Sequence, residues 1–278
     1  MGDKIQIGEP SAPFRPYIKY YKYIESGLTG LFKVIPNTYI ELYFHFTHID
    51  IFSPGRYSLY NPLIHVSGIH QYEQPIYSHM HGTDRNGGFA IVFQPQGFFN
   101  LFNIKSSDLF KFTVDGNIVF GREIYSLWEE LQAFNDIKDM IQLAETYLLV
   151  YAKRAPSRLD RINYIISYMD NSHGFASVSQ ICKLFNITQR SLDRNFIDEI
   201  GISPKELLNI FRINYAIKLI SKNPDIDLTQ ISYLSGYYDQ SHFIKEIRKV
   251  AGLPPSGLKR GRSGEASTQH NLLFVKAD

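Results

Sequence analysis

Cysteine is almost absent from this chain of 278 residues, whose single thiol belongs to Cys182. One cysteine excludes an internal disulfide, and the chain therefore fits a reducing compartment. Long apolar runs are also missing, because no segment reaches the roughly 18 apolar residues that cross a bilayer. The first residues, which include Asp3, Glu9 and Pro10, lack the apolar core of a secretory signal. We therefore expect a cytoplasmic protein without a membrane segment.

The sequence signatures of common catalytic sites are missing as well. Neither a Gly-x-Ser-x-Gly elbow nor a phosphate-binding loop occurs. Cys182 shares one apolar helical stripe with Val178, Ile181 and Phe185, which is more typical of a packing residue than of a nucleophile. We therefore expect no enzyme activity and no cofactor.

Four histidines fall within a short span, and they are His65, His70, His79 and His81. The last two are a possible metal pair, but neither the spacing of a zinc site nor supporting cysteine or acidic ligands is evident. We favour the interpretation that these histidines lie in loops and sheet walls, and we predict no metal site. The many Tyr and Phe residues before Leu101 leave two alternatives open, core packing or the lining of a pocket for a small ligand.

Charge is distributed unevenly along the chain, although the total is only +2. Residues 1–157 carry 13 Lys and Arg against 15 Asp and Glu, a net charge of −2. Residues 158–262 carry 15 against 10, a net charge of +5, and residues 263–278 carry −1. An excess of positive charge suits contact with phosphate groups, although +5 over such a segment is also common on a solvated surface.

The first 120 residues are predicted to be mainly β. In residues 39–46, Ile40 and Leu42 alternate with polar or aromatic side chains, which indicates a strand with one buried side. Further apolar segments of this part are residues 88–93, 98–102 and 118–120. Residues 16–24 are the exception, since a shared face predicts a short helix there. That face is formed by Tyr17, Tyr20, Tyr21 and Ile24.

From about residue 124 to residue 153 the apolar period becomes helical, with stripes through Leu127 and through Ile137. Residues 154–157 break the pattern, and helix then follows helix to about residue 251. A Gly- and Ser-rich tail is expected to be poorly ordered. We predict an α+β chain in three parts: an N-terminal mixed β-barrel-like and α domain at 1–155, an all-α domain at 158–260 and the tail at 261–278.

Two segments of the all-α part share one pattern: a short amphipathic helix, a tight turn and a second helix with a polar outer face. They are residues 177–194 and 228–245. A shift of 51 positions aligns Arg194 with Lys245, and a Gly-x-x-Pro segment at 201–204 with residues 252–255. Glycine can end a helix in the left-handed conformation, and proline suits the first turn of the next one. This pattern is typical of a helix-turn-helix, whose second helix can lie in a DNA major groove.

The helical part, at about residues 158–260, resembles the DNA-binding domain of AraC-family transcription regulators, in which a long helix joins two helix-turn-helix units. The resemblance rests on residues 188–196, 201–204 and 236–243 and on Arg212. Tyr237 stands where the family usually has Phe, and Ile247 where it usually has an aromatic residue. Both changes keep an apolar contact. The N-terminal part is similar to the family's sensing domains only in its β-then-helix order and its position.

The second helix of each unit carries side chains suited to reading base edges. In the first unit, Leu192, Phe196 and Ile200 recur every four residues and face the core, which leaves a polar face near the helix start. The predicted DNA contacts are Gln189, Arg190, Asp193, Arg194, Gln240, Ser241 and Lys245. Arg can bind guanine, and Gln can bind adenine, through two hydrogen bonds. A solvated ion pair between Arg194 and Asp198 is the alternative for that arginine.

Three further positions have predicted roles beside these contacts. Thr188 and Asp239 are expected to cap the two recognition helices, where a helix N-terminus favours a phosphate group. Arg212 is expected to be structural and to bond across to the first unit. The helix between the units, at residues 203–221, would hold them at a fixed separation. On one face of the DNA, recognition helices about 34 Å apart would reach successive turns of the major groove.

The resemblance implies a sequence-specific regulator that binds double-stranded promoter DNA and contacts RNA polymerase. We expect a small-molecule effector to act through the N-terminal domain, and a homodimer is compatible with this arrangement. Two alternatives stay open. One is a regulator whose N-terminal domain only mediates assembly, and the other, less favoured, is an enzyme fused to a DNA-targeting module.

Overall fold

The structure is a computed structural model of the chain. It describes residues 4–25, 30–34, 38–46, 49–53, 56–60, 63–69, 74–78, 87–109, 113–152, 161–223, 226–251, 254–260 and 274–276. Within these ranges, no helix combines the length and the hydropathy that crossing a membrane requires.

Two antiparallel sheets dominate the first half of the described chain. The strands are β1 (Lys4–Gly8), β2 (Ile18–Glu25), β3 (Gly30–Val34), β4 (Glu41–His45), β5 (Ile49–Ser53), β6 (Arg56–Tyr60), β7 (Ile64–Ser67), β8 (Gln74–Ser78), β9 (Gly87–Phe93), β10 (Thr113–Asp115) and β11 (Phe274–Lys276). One sheet has the strand order β1-β2-β9-β4-β7-β10, and the other has the order β11-β3-β8-β5-β6. The predicted β-rich N-terminal part is therefore confirmed.

The prediction of a short helix over residues 16–24 is wrong, because Ile18–Glu25 form strand β2. This strand pairs with β9, and Tyr21 lies opposite Ile91. Side chains on both of its faces are buried, including Tyr21 on one face and Lys22 on the other. A strand buried on both faces lacks the alternation of polar and apolar residues, so the apparent helical stripe reflects a nearly continuous apolar run.

Strand β4 confirms the strand predicted within residues 39–46, but the expectation of only one buried side is wrong. Leu42 and Phe44 are fully buried on one face. On the opposite face Glu41 and His45 are also buried, at 9% and 6% exposure. Polar side chains occupy this second face because they bind one another there.

Two apolar segments that we assigned to the β-rich part are helices instead. They are α1 (Gly97–Phe102) and α2 (Gly116–Phe120), and the side chain of Asp115 caps α2 by accepting a backbone hydrogen bond. The ring centroids of Phe98 and Phe102 lie 4.9 Å apart, one helical turn from each other. Segments of five or six residues are too short for periodicity to distinguish a helix from a strand.

The helical period from residue 124 onward is confirmed. The helices are α3 (Ile124–Leu131), α4 (Ile137–Ala152), α5 (Arg161–Asn171), α6 (Val178–Leu184), α7 (Gln189–Glu199), α8 (Pro204–Lys222), α9 (Leu228–Leu234), α10 (Gln240–Ala251) and α11 (Pro255–Arg260). The break predicted at residues 154–157 lies outside the described residues. Most of the predicted tail also lies outside them, while β11, within residues 261–278, pairs with β3.

Buried apolar side chains form two large clusters. The first extends from the six-stranded sheet through α3, α4 and α5 into α6, α7 and the first half of α8, where it ends at Phe211. The second begins at Ile213 and includes Ile231, Phe243 and Ile247. The first helical pair after α5 therefore shares a core with the N-terminal sheet, whereas the second pair has a core of its own.

Candidate nucleic-acid interface

The first helix-turn-helix unit consists of α6, the following turn and α7. A capping box starts α6: the Ser177 hydroxyl accepts from the Gln180 backbone N–H at 3.2 Å, and the Gln180 side chain accepts from the Ser177 N–H at 2.8 Å. The turn passes through Asn186 at φ 48°, a left-handed conformation that Asn tolerates better than most residues. Thr188 then caps α7 by accepting from the Ser191 N–H at 3.2 Å. Side-chain caps thus set the start of both helices.

Helix α7 has one buried face and one exposed face. Leu192 and Phe196 are fully buried in the first core cluster. The exposed side chains toward the helix start are Gln189, Arg190 and Arg194, and Asp193 is half-buried beside them. The Asp198 carboxylate is bound by Lys105 Nζ at 3.2 Å, so it pairs with the N-terminal half rather than with Arg194. Arg194 therefore keeps its guanidinium on the exposed face of α7.

The second unit repeats this construction with α9 and α10. Asp227 caps α9 by accepting from the Thr229 N–H at 3.0 Å, and hydrogen bonds from Thr229 hold the pKa of Asp227 below its usual value. Gly236 turns the chain at φ 74°. Asp239 then caps α10, since its Oδ1 accepts from the His242 N–H at 2.8 Å.

Helix α10, like α7, has one buried face and one exposed face. Phe243 and Ile247 are fully buried in the second core cluster. Ser241 and Lys245 are exposed, and Gln240 is half-buried. Basic side chains continue along the exposed side of the helix, at Arg248 and Lys249. Both recognition helices therefore present polar and basic side chains to solvent on the face opposite the core.

Tyr238 is an exposed aromatic residue that the sequence-based contact set omits. Its side chain is 98% exposed, while the adjacent Tyr237 is buried at 4%. It directly precedes the α10 cap, Asp239, and so stands at the start of the second recognition helix. The sequence places two tyrosines side by side before this cap, but it does not show which of them packs in the core and which is exposed.

Helix α8 joins the two units, as predicted. Ser203 and Glu206 form a capping box with Pro204 in the first turn. Midway along the helix, Arg212 Nη2 donates to the Gly174 carbonyl at 3.1 Å, in the turn that precedes the first unit. The guanidinium carbon also lies 5.9 Å from the ring centre of Tyr237 in the second unit. Arg212 therefore binds the turn before the first unit and lies over a ring of the second unit.

A cleft of about 320 Å³ separates the N-terminal half from α5 and α8. Its lining includes Arg15, Lys19 and Tyr39 on the sheet side and Asp170 of α5 opposite them. Lys19 Nζ lies 4.6 Å from the centre of the Tyr39 ring, and Arg15 Nε donates to a backbone carbonyl. Among the described residues neither cation forms an ion pair. The cleft thus presents two cations, one of which lies over the buried ring of Tyr39.

A buried polar cluster occupies the face of the six-stranded sheet opposite the helices. Lys22 Nζ and Glu41 Oε2 form an ion pair of 3.0 Å, and His45 Nε2 lies 2.8 Å from His65 Nδ1. Burial lowers the pKa of His45 well below its usual value, and the neighbouring His65 and Lys22 lower it further. In the described parts of the chain, no group of three or more His, Cys, Asp or Glu side chains could hold a metal ion.

Of the histidines considered for a metal site, His65 is this buried partner of His45, while His70, His79 and His81 lie outside the described residues. Cys182 is half-buried and packs against the first core cluster. The packing position expected for this cysteine agrees with that placement.

Comparison with known families gives two separate matches along the chain. Residues 181–261 match a family described as a helix-turn-helix domain. Residues 6–115 match a domain of unknown function, DUF6597. The HTH-type transcriptional activator RhaS of Escherichia fergusonii is 26% identical over 157 residues, which are 53% of this chain and 55% of that protein. The match thus spans about half the length of this curated relative.

Solved structures give weaker similarity. ToxT from Vibrio cholerae aligns with 94% of this chain and 98% of its own, at 13% sequence identity and a TM-score of 0.49. The C-terminal domain of AraT, a response regulator from Geobacillus stearothermophilus, aligns with 41% of this chain and 96% of its own. Its sequence identity is 26% and its TM-score is 0.35.

Proposed function

The chain belongs to the AraC family through its C-terminal double helix-turn-helix domain, and on this premise we propose that it is a sequence-specific DNA-binding regulator of transcription. Residues 158–260 bind double-stranded promoter DNA, and residues 1–155 sense a small molecule or mediate assembly. RNA polymerase and a second copy of the chain are further partners in this proposal. No catalytic step is part of it.

One observation carries the proposal: two capped helices expose polar and basic faces and are joined by a single continuous helix. Helix α8 has 19 residues and therefore spans about 28 Å at 1.5 Å per residue. A continuous helix of this length can hold the two units apart, as is needed for two recognition helices that enter successive major grooves from one side of the duplex. Reading two adjacent grooves with one chain can also require the DNA to bend.

Four of the predicted contact residues have side chains that can pair with a particular base. Arg190 and Arg194 are suited to guanine O6 and N7, and Gln189 and Gln240 are suited to adenine N6 and N7. The remaining contact residues are Asp193, Ser241 and Lys245. Thr188 and Asp239 fix the helix starts, where backbone N–H groups and the helix dipole favour a DNA phosphate.

Selection of bound duplexes from a random DNA library, with the full chain at near-physiological salt, tests this function. We expect enrichment of two short motifs separated by about one helical turn. Binding without enrichment of any sequence would contradict a sequence-specific reader. The dependence of affinity on salt then measures how many phosphates are neutralised.

We further propose that the N-terminal half responds to a small effector, which binds in the cleft between this half and α5. The support is chemical: Arg15 and Lys19 line the cleft, and their cations can bind a carboxylate or phosphate. Asp170 on the opposite wall favours a ligand whose far end carries a hydroxyl or amino group. A small hydroxy or amino acid fits this pattern of charges.

A thermal-shift screen of hydroxy acids, sugar acids and amino acids tests the effector proposal, with the neutral amide of each acid as its control. A ligand of the folded state raises the melting temperature by mass action, and the Lys19→Gln variant should lose that rise. A screen in which no acid shifts the wild-type protein would favour the alternative, an N-terminal half that only mediates assembly.

A further inference from the structure

The N-terminal half holds the C-terminal end of the first recognition helix. The Ser106 hydroxyl donates to the backbone carbonyl of Glu199, the last residue of α7, at 2.7 Å. Gln96 Nε2 donates to the carboxylate of the same glutamate. Ser106 and Gln96 are each only 2% exposed. We call Gln96 and Ser106, with their partner Glu199, the clasp.

The backbone around the clasp is closely packed. Gly201 ends the recognition helix at φ 92°, a left-handed conformation that favours glycine. A Cβ at this position would lie 3.1 Å from the Ser106 carbonyl oxygen. The two backbone segments are therefore so close that a side chain would fit only if one of them shifted. The ion pair between Lys105 and Asp198 adds a contact at the exposed rim, with 56% and 35% exposed side chains.

The clasp connects to the N-terminal sheet through a short, rigid route. Gln96 follows strand β9 by three residues and directly precedes α1. In α1, Phe98 packs edge-on against Phe93 of β9, with ring centroids 5.3 Å apart. A movement of β9 would therefore displace the partner of Glu199.

The two units differ in this respect. The first unit shares the N-terminal core and the clasp, whereas the second unit packs in a separate cluster around Phe243 and Ile247. The clasp also lies at the far end of α7 from Gln189 and Arg190. It therefore leaves the predicted reading face uncovered, and its effect on DNA binding must come through the orientation of the helix.

We propose that the clasp is a positioning contact, by which the N-terminal half sets the orientation of the first recognition helix and leaves the second unit to follow through α8. This inference rests on the proposed DNA-binding function and adds its regulation. A first recognition helix that is already oriented loses less conformational entropy when it binds DNA. The clasp therefore increases affinity only at the half-site that the first unit reads.

The test compares wild-type protein with the Gln96→Ala/Ser106→Ala variant on three duplexes: the selected site, the same site with the first motif scrambled, and the same site with the second motif scrambled. Arg194→Ala and Lys245→Ala assign each motif to a unit. We expect the variant to bind the selected site about 3- to 10-fold more weakly, because only part of the strength of the two lost hydrogen bonds contributes to DNA binding. The loss should persist with the second motif scrambled and vanish with the first scrambled.

Two controls separate positioning from general damage. Lys138→Ala, which removes an exposed positive charge of α4 outside the clasp, should leave affinity unchanged. Ser106→Ala alone, a milder change, should show part of the same half-site-specific loss while the variant is still fully folded at the assay temperature.

Wild-type affinity in the double variant, a gain in affinity, or an equal loss on all three duplexes would overturn the clasp while leaving DNA binding intact. A wild-type protein that enriches no duplex would instead contradict the proposed function, and this inference with it.

Discussion

Arg212 donates a hydrogen bond of 3.1 Å from Nη2 to the carbonyl oxygen of Gly174. The glycine ends the turn before the first helix-turn-helix unit, and the arginine lies near the middle of α8. The same guanidinium faces the Tyr237 ring of the second unit. One side chain of the linker helix therefore contacts both the turn before the first unit and the second unit.

The close approach at Gly174 gives a first prediction, for Gly174→Ala. Its φ is +73°, and a Cβ there would lie 2.2 Å from the Leu208 carbonyl oxygen and 2.8 Å from the Arg212 backbone nitrogen. We expect the free energy of unfolding to fall by about 2–4 kcal/mol, the combined effect of left-handed strain and displaced backbone. Gly121→Ala is a comparison without a steric clash, because nothing lies within 4 Å of a Cβ there, although φ 75° with ψ −177° is a conformation that glycine almost alone adopts. It should cost only backbone strain, about 1–3 kcal/mol. A loss below about 1 kcal/mol for Gly174→Ala in urea unfolding would refute the packing argument.

The second prediction concerns Arg194→Ala. Loss of a bidentate contact to a base should weaken binding to the selected duplex by about 1–3 kcal/mol. Titration of wild-type and variant protein with selected and random duplexes measures this difference. Equal losses on both duplexes would make Arg194 a phosphate contact, and unchanged affinity on both would remove it from the interface. Lys218→Ala, at an exposed position of α8, should change neither.

The third prediction separates stability from binding at Tyr238. Because its ring is 98% exposed, Tyr238→Ala should change the free energy of unfolding by less than about 0.5 kcal/mol. We expect the same variant to bind the selected duplex about 3- to 10-fold more weakly, since the ring can cover a sugar or a thymine methyl group only in the complex. Tyr233→Ala, at a 63% exposed position of α9, is the control. Equal affinity of both variants and the wild type would exclude Tyr238 from the interface.

The fourth prediction concerns the pH dependence of stability. Burial, His65 and Lys22 lower the pKa of His45 in the folded protein, so the neutral ring is the folded form. The unfolded chain takes up a proton near the usual pKa of 6.5, and stability is therefore lost as the pH falls below that value. Between pH 6.5 and 5.5 the loss should be about 1 kcal/mol, and the slope approaches about 1.4 kcal/mol per pH unit below that interval.

Urea unfolding at several pH values measures this loss. The His45→Gln variant should show a flatter profile over the same window, because the titrating group is absent. His242→Gln, which changes an exposed histidine, should keep the wild-type slope. Identical slopes in all three proteins would contradict the assignment to His45.

The helical half was predictable because its signals are local. Repeated caps, the Gly-x-x-Pro segment and buried residues at every fourth position fix α6 to α10, and Leu192 and Phe196 are buried as expected. The N-terminal sheet was less predictable. Lys22 and His45 are buried only because distant strands bring Glu41 and His65 beside them. The clasp was missed for the same reason, since Gln96 and Glu199 are 103 positions apart in the chain.

The most direct test of the central claim, that one chain reads two successive major grooves through a rigid pair of units, varies the spacing between the two selected motifs. Affinity should be highest near the selected spacing of about 10 base pairs and fall steeply when about five are inserted, because the second motif then faces the opposite side of the duplex. Affinity that stays constant across all spacings would contradict two rigidly coupled units.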